Sequence, residues 1–308
     1  MMDGKEVLFL RQVDDFSVAA ENEVVCNKVI QEVSKHLKAP LKNLGKVNRF
    51  NGVEVDQTKY YIKIHNIQYI EKILTRHGWL NDNYNSPKLP VPMRSDTKYK
   101  FELENAKGSD TDKDRLTLEM KMKFNYRQAL GEILYAMVTC RPDLSISVTK
   151  LSHYSQNPAE IHYVALKNVF RYLRSTRKDG LIFWRRTPLH QTQIKLILLP
   201  TLYSDAIVQQ ELIKDEKSME EHQMIAYVDS DWAGDTSYRR SATCIAVIFA
   251  GAVIAYKSRI QKTVALSSTE AEFTATCDAG KPILCLRTIL DEMGIEQHDA
   301  TVLFEDNQ

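Results

Sequence analysis

Acidic residues interrupt apolar runs near the start of the chain. Asp14 and Asp15 separate EVLFLRQV from FSVAA, and these two runs predict a β-hairpin with the acidic pair at its tip. At a tight tip both side chains can lean the same way, so the pair is a candidate metal ligand. Asp is also a common turn residue, and a plain turn pair explains the pattern equally well.

Three further carboxylates fall at the ends of predicted elements in the last third of the chain. Asp229 ends the strand MIAYV, Glu272 lies in the first turns of the helix that starts in SSTEAEF, and Asp306 ends the last strand, TVLFED. If the fold brings them together, their oxygens would suit Mg²⁺ or Mn²⁺. Two such ions would clamp the attacking and leaving oxygens of a phosphodiester. The alternative is that they are ordinary acids at strand ends and a helix start.

Basic residues form a stripe along the predicted helix IHYVALKNVFRYLRST. The same helix carries an apolar stripe of Leu166, Val169, Phe170 and Leu173, which indicates one face turned to a core. The basic stripe is either a solvated helix face or a surface that follows nucleic-acid phosphates. Its candidate binding residues are Lys167, Arg171, Arg174 and Arg177.

Composition excludes several classes of protein. The 308 residues are 44% hydrophobic and 26% charged with a net charge of +1, so any nucleic-acid affinity must come from local patches. The five cysteines form no C-x-x-C pair, which argues against zinc and disulfides. The sequence has no apolar run of membrane-spanning length and no signal peptide, so we expect an intracellular protein without membrane contact.

The composition and the predicted secondary structure change along the chain. Residues 94–120 are strongly polar and predict a flexible loop, and residues 187–222 predict a linker or insertion. From Met224 onward three strands, a helix and a last strand predict an α/β layer. Ser267 and Glu270 form a capping box at the start of that helix, and Pro282 is expected to break or kink it.

Several motifs in one order resemble a known family. The pieces DSDWAGD, RRSAT, KSRIQKTVALSSTEAEF and DNQ resemble the RNase H domain of copia-type (Pseudoviridae) LTR-retrotransposon Pol polyproteins. RPD, NPAEIH and RYLRST are similar to the segment between its polymerase and RNase H. QVDDF resembles the polymerase hairpin, and LGKVNRFNGVEV resembles the end of its palm and thumb. The likeness covers nearly the whole chain except about 94–120 and 187–222.

The resemblance implies roles for particular residues. Asp14 and Asp15 match the paired aspartates of the polymerase, and Asp229, Glu272 and Asp306 match RNase H carboxylates. The implied activities are RNA-directed DNA polymerisation and hydrolysis of RNA in an RNA–DNA hybrid, both with two Mg²⁺ or Mn²⁺ ions. The implied partners are an RNA–DNA hybrid or primer–template and the remainder of the Pol polyprotein. The implied location is cytoplasmic, in a virus-like particle, or nuclear.

The resemblance also predicts the organisation of the chain. We expect an α+β or α/β fold with a partial palm and helical thumb over 1–93 and a polar loop over 94–120. A connection region would follow over 121–186, then a linker over 187–222 and an incomplete RNase H-like fold over 223–308. A further polymerase aspartate would precede residue 1, and a fourth RNase H acid would follow Asp306. The chain is therefore expected to be a fragment with no polymerase activity alone, or else a non-catalytic nucleic-acid-binding remnant or a relic without function.

Overall fold

The structure is a computed structural model that mixes helices and strands, which confirms the expected α+β character in its coarse form. Only the backbone is described for residues 187–188 and 219–220. The described residues are 4–37, 40–80, 89–185, 187–188, 219–220, 223–234 and 238–305.

The N-terminal segment forms the predicted hairpin and one helix. Strands β1 (Val7–Gln12) and β2 (Asp15–Ala20) pair in antiparallel fashion, and helix α1 (Glu23–Leu37) follows. Among residues 4–37, Val25 is the one buried residue. The hairpin therefore contributes little to a core.

A small antiparallel sheet comes next and is completed from far along the chain. Its strands are β3 (Arg49–Phe50), β4 (Val53–Gln57), β5 (Tyr61–His65) and β6 (Leu181–Trp184), in that order. Helix α2 (Ile67–Arg76) leaves the end of β5 and buries Ile70, Ile73 and Leu74. The pairing of β5 with β6 joins the region before residue 80 to the chain segment near residue 181.

The helical region builds the larger of two buried apolar cores. The predicted stripe of Leu166, Val169, Phe170 and Leu173 is buried in it, as expected from the helical spacing. The helices are α3 (Thr97–Asn105), α4 (Asp112–Met122), α5 (Tyr126–Cys140), a 3₁₀ turn (Pro142–Leu144), α6 (Ser145–Ser152) and α7 (Glu160–Ser175).

The structure differs from the polar loop expected over 94–120, because α3 and α4 lie there. Each helix has a local start signal: Asp96 accepts a hydrogen bond from the Tyr99 amide at 3.0 Å, and Thr111 accepts one from the Asp114 amide at 3.1 Å. Leu103 is fully buried against the helical core. Capping and one buried side chain thus order a segment whose composition is polar.

The C-terminal region is a mixed sheet covered by one long helix. Its strands are β9 (Ile225–Asp231), β10 (Ala242–Phe249), β11 (Ala252–Ile260) and β12 (Val302–Phe304), and the sheet order is β11-β10-β9-β12. Strand β12 runs parallel to β9, whereas the other pairs are antiparallel. Helix α8 (Ser268–Glu292) packs Ala275 and Ala279 against Ala226 and Val247.

Two further expectations meet the structure here. Pro282 lies inside the continuous helix α8 and does not break it, although a proline removes one helical hydrogen bond. The predicted linker over 187–222 falls mainly outside the described residues. Its described parts pair as short strands β7 (Thr187–Pro188) and β8 (Met219–Glu220).

The helical and C-terminal regions are in direct contact. The Tyr256 hydroxyl donates to the Met137 carbonyl at 2.9 Å, and the Trp184 amide donates to the Ala250 carbonyl at 2.8 Å. Beside these contacts the two regions line a cleft of about 1250 Å³. None of the described helices is both long enough and apolar enough to cross a bilayer.

Candidate metal and nucleic-acid sites

The hairpin tip presents its aspartates to solvent. Val13 and Asp14 form a two-residue turn, since Gln12 pairs directly with Asp15. Both aspartates are exposed. Val13 has a φ of +52°, a left-handed conformation that is strained for a β-branched residue. The tip therefore has a specific backbone conformation, but its acidic side chains are exposed.

Strand β9 directs its residues alternately to the two faces of the sheet. Ala226 and Val228 are buried beneath α8, so Ser230 belongs to the same face. Asp229 belongs to the opposite face, where it lines the cleft with Tyr227. Asp229 is exposed, as expected for a residue near the open end of the strand.

Helix α8 begins beside this end of β9, and side-chain caps from Ser267 and Glu270 fix that start. The Ser267 hydroxyl accepts a hydrogen bond from the Glu270 amide at 3.1 Å, and the Glu270 carboxylate accepts one from the Leu266 amide at 2.7 Å. Ser267 is therefore the predicted N-cap, whereas Glu270 accepts from the residue before it and does not complete the predicted capping box with the Ser267 amide. Glu272 follows two residues later and is only 6% exposed.

The environment of Glu272 disfavours its charge. Burial raises the pKa of the Glu272 carboxyl, and the negative charges of Asp229 and Glu305 add to the rise. The polar groups of Ser230 act in the opposite sense. The charges of Asp229, on a strand, and of Glu305, after another strand, therefore act on Glu272 in the helix. Such mutual repulsion is what a cation would relieve.

The residues present fit a divalent cation at this edge of the sheet. The Ser230 hydroxyl and backbone amide lie close enough to the Glu272 carboxylate to lower its pKa, but among the described residues no hydrogen bond of standard geometry reaches the buried Glu272 Oε2 or Ser230 Oγ atom. A buried oxygen without a partner costs free energy that a hard cation would offset. Among the described residues no group of three His, Cys, Asp or Glu side chains is already arranged to hold a metal ion. Asp306, the third predicted ligand, lies outside the described residues.

Sequence reasoning missed two neighbours of this site, Ser230 and Glu305. Ser230 follows Asp229 directly, and strand alternation could have placed it facing the helix. Glu305 precedes Asp306, and the motif comparison assigned it no role. Its position follows from the register that places Phe304 opposite Tyr227, with the two rings stacked at 5.0 Å.

The basic stripe of α7, for which the sequence left open a solvated face or a phosphate-following surface, is half-buried. Lys167, Arg171 and Arg174 line a small cavity with Trp79 and Phe170. The Lys167 ammonium lies 5.9 Å from the centre of the Trp79 ring. Arg177 is drawn away to pair with Glu71 at 3.5 Å. Three of the four predicted binding residues therefore lie together, and the fourth takes part in an ion pair.

Comparison with known proteins gives relatives along nearly the whole chain. The retrovirus-related Pol polyprotein from transposon TNT 1-94 of Nicotiana tabacum is 28% identical over 96% of this chain and 19% of its own length. The Pol polyprotein from transposon RE2 of Arabidopsis thaliana is 25% identical over 99% of this chain and 17% of its own length. The secreted RxLR effector protein 161 of Plasmopara viticola is 34% identical over 50% of this chain and 85% of its length.

Two of these three relatives are Pol polyproteins that are similar to nearly the whole chain. The chain belongs to the retrovirus-related Pol polyproteins of copia-type transposons. It spans about a fifth of the length of the polyproteins it matches. No protein-family model matches the chain, and no solved structure matches it.

Proposed function

We propose that residues 223–305 form the RNase H-like part of a retrotransposon reverse transcriptase, which hydrolyses the RNA strand of an RNA–DNA hybrid. The observation that carries the proposal is the buried Glu272 carboxylate, whose Oε2 makes no hydrogen bond of standard geometry among the described residues and whose pKa is raised by burial and by the charges of Asp229 and Glu305. The strand order supports it: three antiparallel strands, a helix, and a parallel strand beside the first. The resemblance of its motifs to RNase H domains implies the substrate class.

In the proposed site, Glu272 and Asp229 would hold the metal ions, and the fold would fix their position. Glu272, rigid in the helix, and Asp229, open to the cleft, would hold Mg²⁺ from two sides of the strand end. The bound ions would activate a water and stabilise the charge that develops on the scissile phosphate. Because Glu272 is buried, its carboxylate has few orientations available, and the position of the hydrolytic centre would follow from the fold.

The cleft is the proposed path for the substrate beside Asp229. Its opposite wall includes Arg141, which is almost fully buried and makes a 2.7 Å ion pair with Asp143. The Arg141 guanidinium also donates to the carbonyl and the hydroxyl of Thr176 at 2.9 and 2.7 Å. These bonds fix the wall, so the cleft has a defined shape before the substrate binds.

The test is cleavage of a labelled RNA–DNA hybrid under single-turnover conditions with excess protein. We expect slow Mg²⁺-dependent cleavage of the RNA strand that Glu272→Gln abolishes, with no cleavage of duplex DNA. Glu270→Gln is the matched control on the same helix turn, because it removes a capping charge and leaves Glu272 in place. Cleavage that survives Glu272→Gln would refute the assignment of the site.

We infer that Asp14 and Asp15 are the metal-binding aspartates of the polymerase in the parental protein. The strained turn at Val13 and the family relationship support this. We expect no primer extension by this chain alone, since no third acidic side chain joins the pair among the described residues. Extension of a primer by the purified chain, lost in Asp14→Asn, would contradict this expectation.

A second candidate function is nucleic-acid binding without chemistry by the stripe on α7. The grouping of Lys167, Arg171 and Arg174 on one face favours it. Binding of a hybrid should then weaken steeply with salt, and Lys167→Ala with Arg174→Ala should reduce the salt dependence by about two phosphate contacts. Glu71→Gln, which releases Arg177, should leave or strengthen binding. Affinity independent of salt would rule this function out.

A further inference from the structure

A buried side-chain amide links the strands of the C-terminal sheet to the helix turn that carries Glu272. The Gln261 Nε2 atom donates to the Thr243 hydroxyl at 3.0 Å and to the Ala271 carbonyl at 2.9 Å. Gln261 is 2% exposed, and Thr243 and Ala271 are fully buried. Ala271 directly precedes Glu272, so the amide is attached one residue from the proposed metal ligand.

The same amide residue belongs to a wider set of buried polar contacts. The Gln261 backbone amide donates to the Ser241 carbonyl at 2.8 Å. The Ser241 hydroxyl in turn accepts from the Ala233 amide at 3.1 Å, in the turn that follows β9. Thr243 lies opposite Ser230 in the strand register. One connected set of buried and partly buried groups thus holds the end of β9, the start of β10 and the first turns of α8.

Burial of these polar groups needs an explanation. A buried amide costs free energy unless its hydrogen bonds are made, and apolar residues of similar size would fill the space at lower cost. Here both bonds from Gln261 Nε2 are made, whereas Oε1 has no partner among the described residues. The partners are specific atoms, so the amide fixes the rotation and height of the helix start more precisely than apolar packing does.

We propose that Gln261, acting with Thr243, is a positioning residue that holds the first turns of α8 so that Glu272 faces Ser230 and the end of β9. This proposal rests on the function proposed above. It assigns a role to the motifs RRSAT and KSRIQKT, which the resemblance named and the carboxylates left unexplained. Loss of such a supporting contact typically lowers metal affinity or activity 10–100-fold.

The structure offers a matched control that joins the same strand and helix farther from the site. Arg259 on β11 makes a hydrogen-bonded ion pair with the buried carboxylate of Asp278 on α8. Arg259→Gln removes this second β11–α8 link and should lower stability without moving Glu272. Gln261→Met and Thr243→Val remove the first link at nearly constant volume, and Thr243→Ser keeps its hydroxyl.

The experiment compares these variants in three measurements: thermal unfolding, Mg²⁺ dependence of hybrid cleavage, and amide hydrogen exchange over residues 270–276. We expect Gln261→Met and Thr243→Val to slow cleavage about 10–100-fold, to require more Mg²⁺ and to speed exchange at the helix start. Thr243→Ser should behave like the wild type. Arg259→Gln should lower the unfolding temperature and leave cleavage within about twofold.

The outcomes separate this proposal from the proposed function. If the wild type neither cleaves the hybrid nor depends on Mg²⁺, the proposed function fails, and the exchange measurement still tests the positioning role. The positioning role is refuted if Gln261→Met leaves exchange over residues 270–276 unchanged. It is also refuted if Arg259→Gln affects cleavage as strongly as Gln261→Met, or if Thr243→Ser is as defective as Thr243→Val.

Discussion

The hairpin tip and the edge of the C-terminal sheet both carry acidic residues that match metal ligands, yet their surroundings differ. Asp14 and Asp15 are exposed on a hairpin whose neighbourhood, residues 4–37, buries one side chain. Glu272 is buried in the first turns of α8, and its pKa is raised by burial and by the charges of Asp229 and Glu305. Carboxylates in water gain little from a cation, whereas crowded and partly buried ones gain more.

The comparison gives a physical reason for expecting chemistry at one place and not at the other. At the ends of β9 and β12 the fold brings the buried Glu272 carboxyl within electrostatic reach of the exposed Asp229 and Glu305, so we expect a cation to bind there. At the tip the sequence motif is present, but no described neighbour desolvates it. The motif alone therefore does not make a site.

The largest expected effect is on hybrid cleavage. Asp229→Asn combined with Glu272→Gln should reduce the rate by about a hundredfold or more, because two proposed metal ligands are lost. Asp14→Asn combined with Asp15→Asn should leave the rate unchanged. Equal losses in both double variants, measured with the same labelled hybrid, would remove the distinction between the two regions.

Stability should differ between the two regions as well. Val247 is fully buried in the C-terminal core, so Val247→Ala should lower the free energy of unfolding by about 2 kcal/mol. Val18→Ala on the hairpin should cost about 0.5 kcal/mol or less. Urea unfolding of the two variants checks this, and a larger loss from Val18→Ala would show that the hairpin is packed more tightly than described.

A third prediction concerns the sign of a stability change. Since the folded pKa of Glu272 is raised, its contribution to stability is fully present below the unfolded value near 4.3 and is lost as pH rises through the folded pKa. Glu272→Gln should therefore raise the unfolding temperature at pH 7 by about 1–3 °C while it abolishes cleavage. Asp14→Asn should do neither. A destabilised Glu272→Gln variant would mean that Glu272 is a structural residue.

The smallest expected effect is a pH dependence of stability that comes from the buried, hydrogen-bonded side chain of His162. Burial lowers the pKa of His162, whose Nδ1 accepts from the Ala159 amide and whose Nε2 donates to the Leu103 carbonyl, both at 2.8 Å. The contribution of neutral His162 to the free energy of unfolding is present above about pH 6.5 and is lost as pH falls through the lowered pKa of the folded state. The unfolding temperature of the wild type should therefore fall from pH 7 to pH 5, and that of His162→Gln should fall less. Identical pH dependence would contradict this.

Local patterns in the sequence predicted what local physics determines. The alternation around Asp14 and Asp15 predicted the hairpin, and the 3.6-residue spacing of Leu166, Val169 and Phe170 predicted a buried helix face. Ser267 and Glu270 predicted the helix start. Helices α3 and α4 were missed because their composition is polar and their order depends on caps and on Leu103 reaching a distant core.

The setting of the candidate site could not be predicted from local patterns. The burial of Glu272 depends on β9, and its electrostatic neighbours come from positions 229 and 305, which are far apart in the sequence. The contact from Gln261 to the Ala271 carbonyl also appears only once the strand and the helix are packed. Motif order identified the family, but tertiary packing decided which carboxylates are crowded.

The most direct test of the central claim is to locate Mn²⁺ on the protein by paramagnetic broadening of backbone amide signals. We predict broadening first at residues around Ser230 and Ala271, with the amides around Asp14 affected only at higher metal concentration. Glu272→Gln should abolish the first effect and leave the second. Broadening that begins at the hairpin tip, or that persists around Ser230 in Glu272→Gln, would contradict the account.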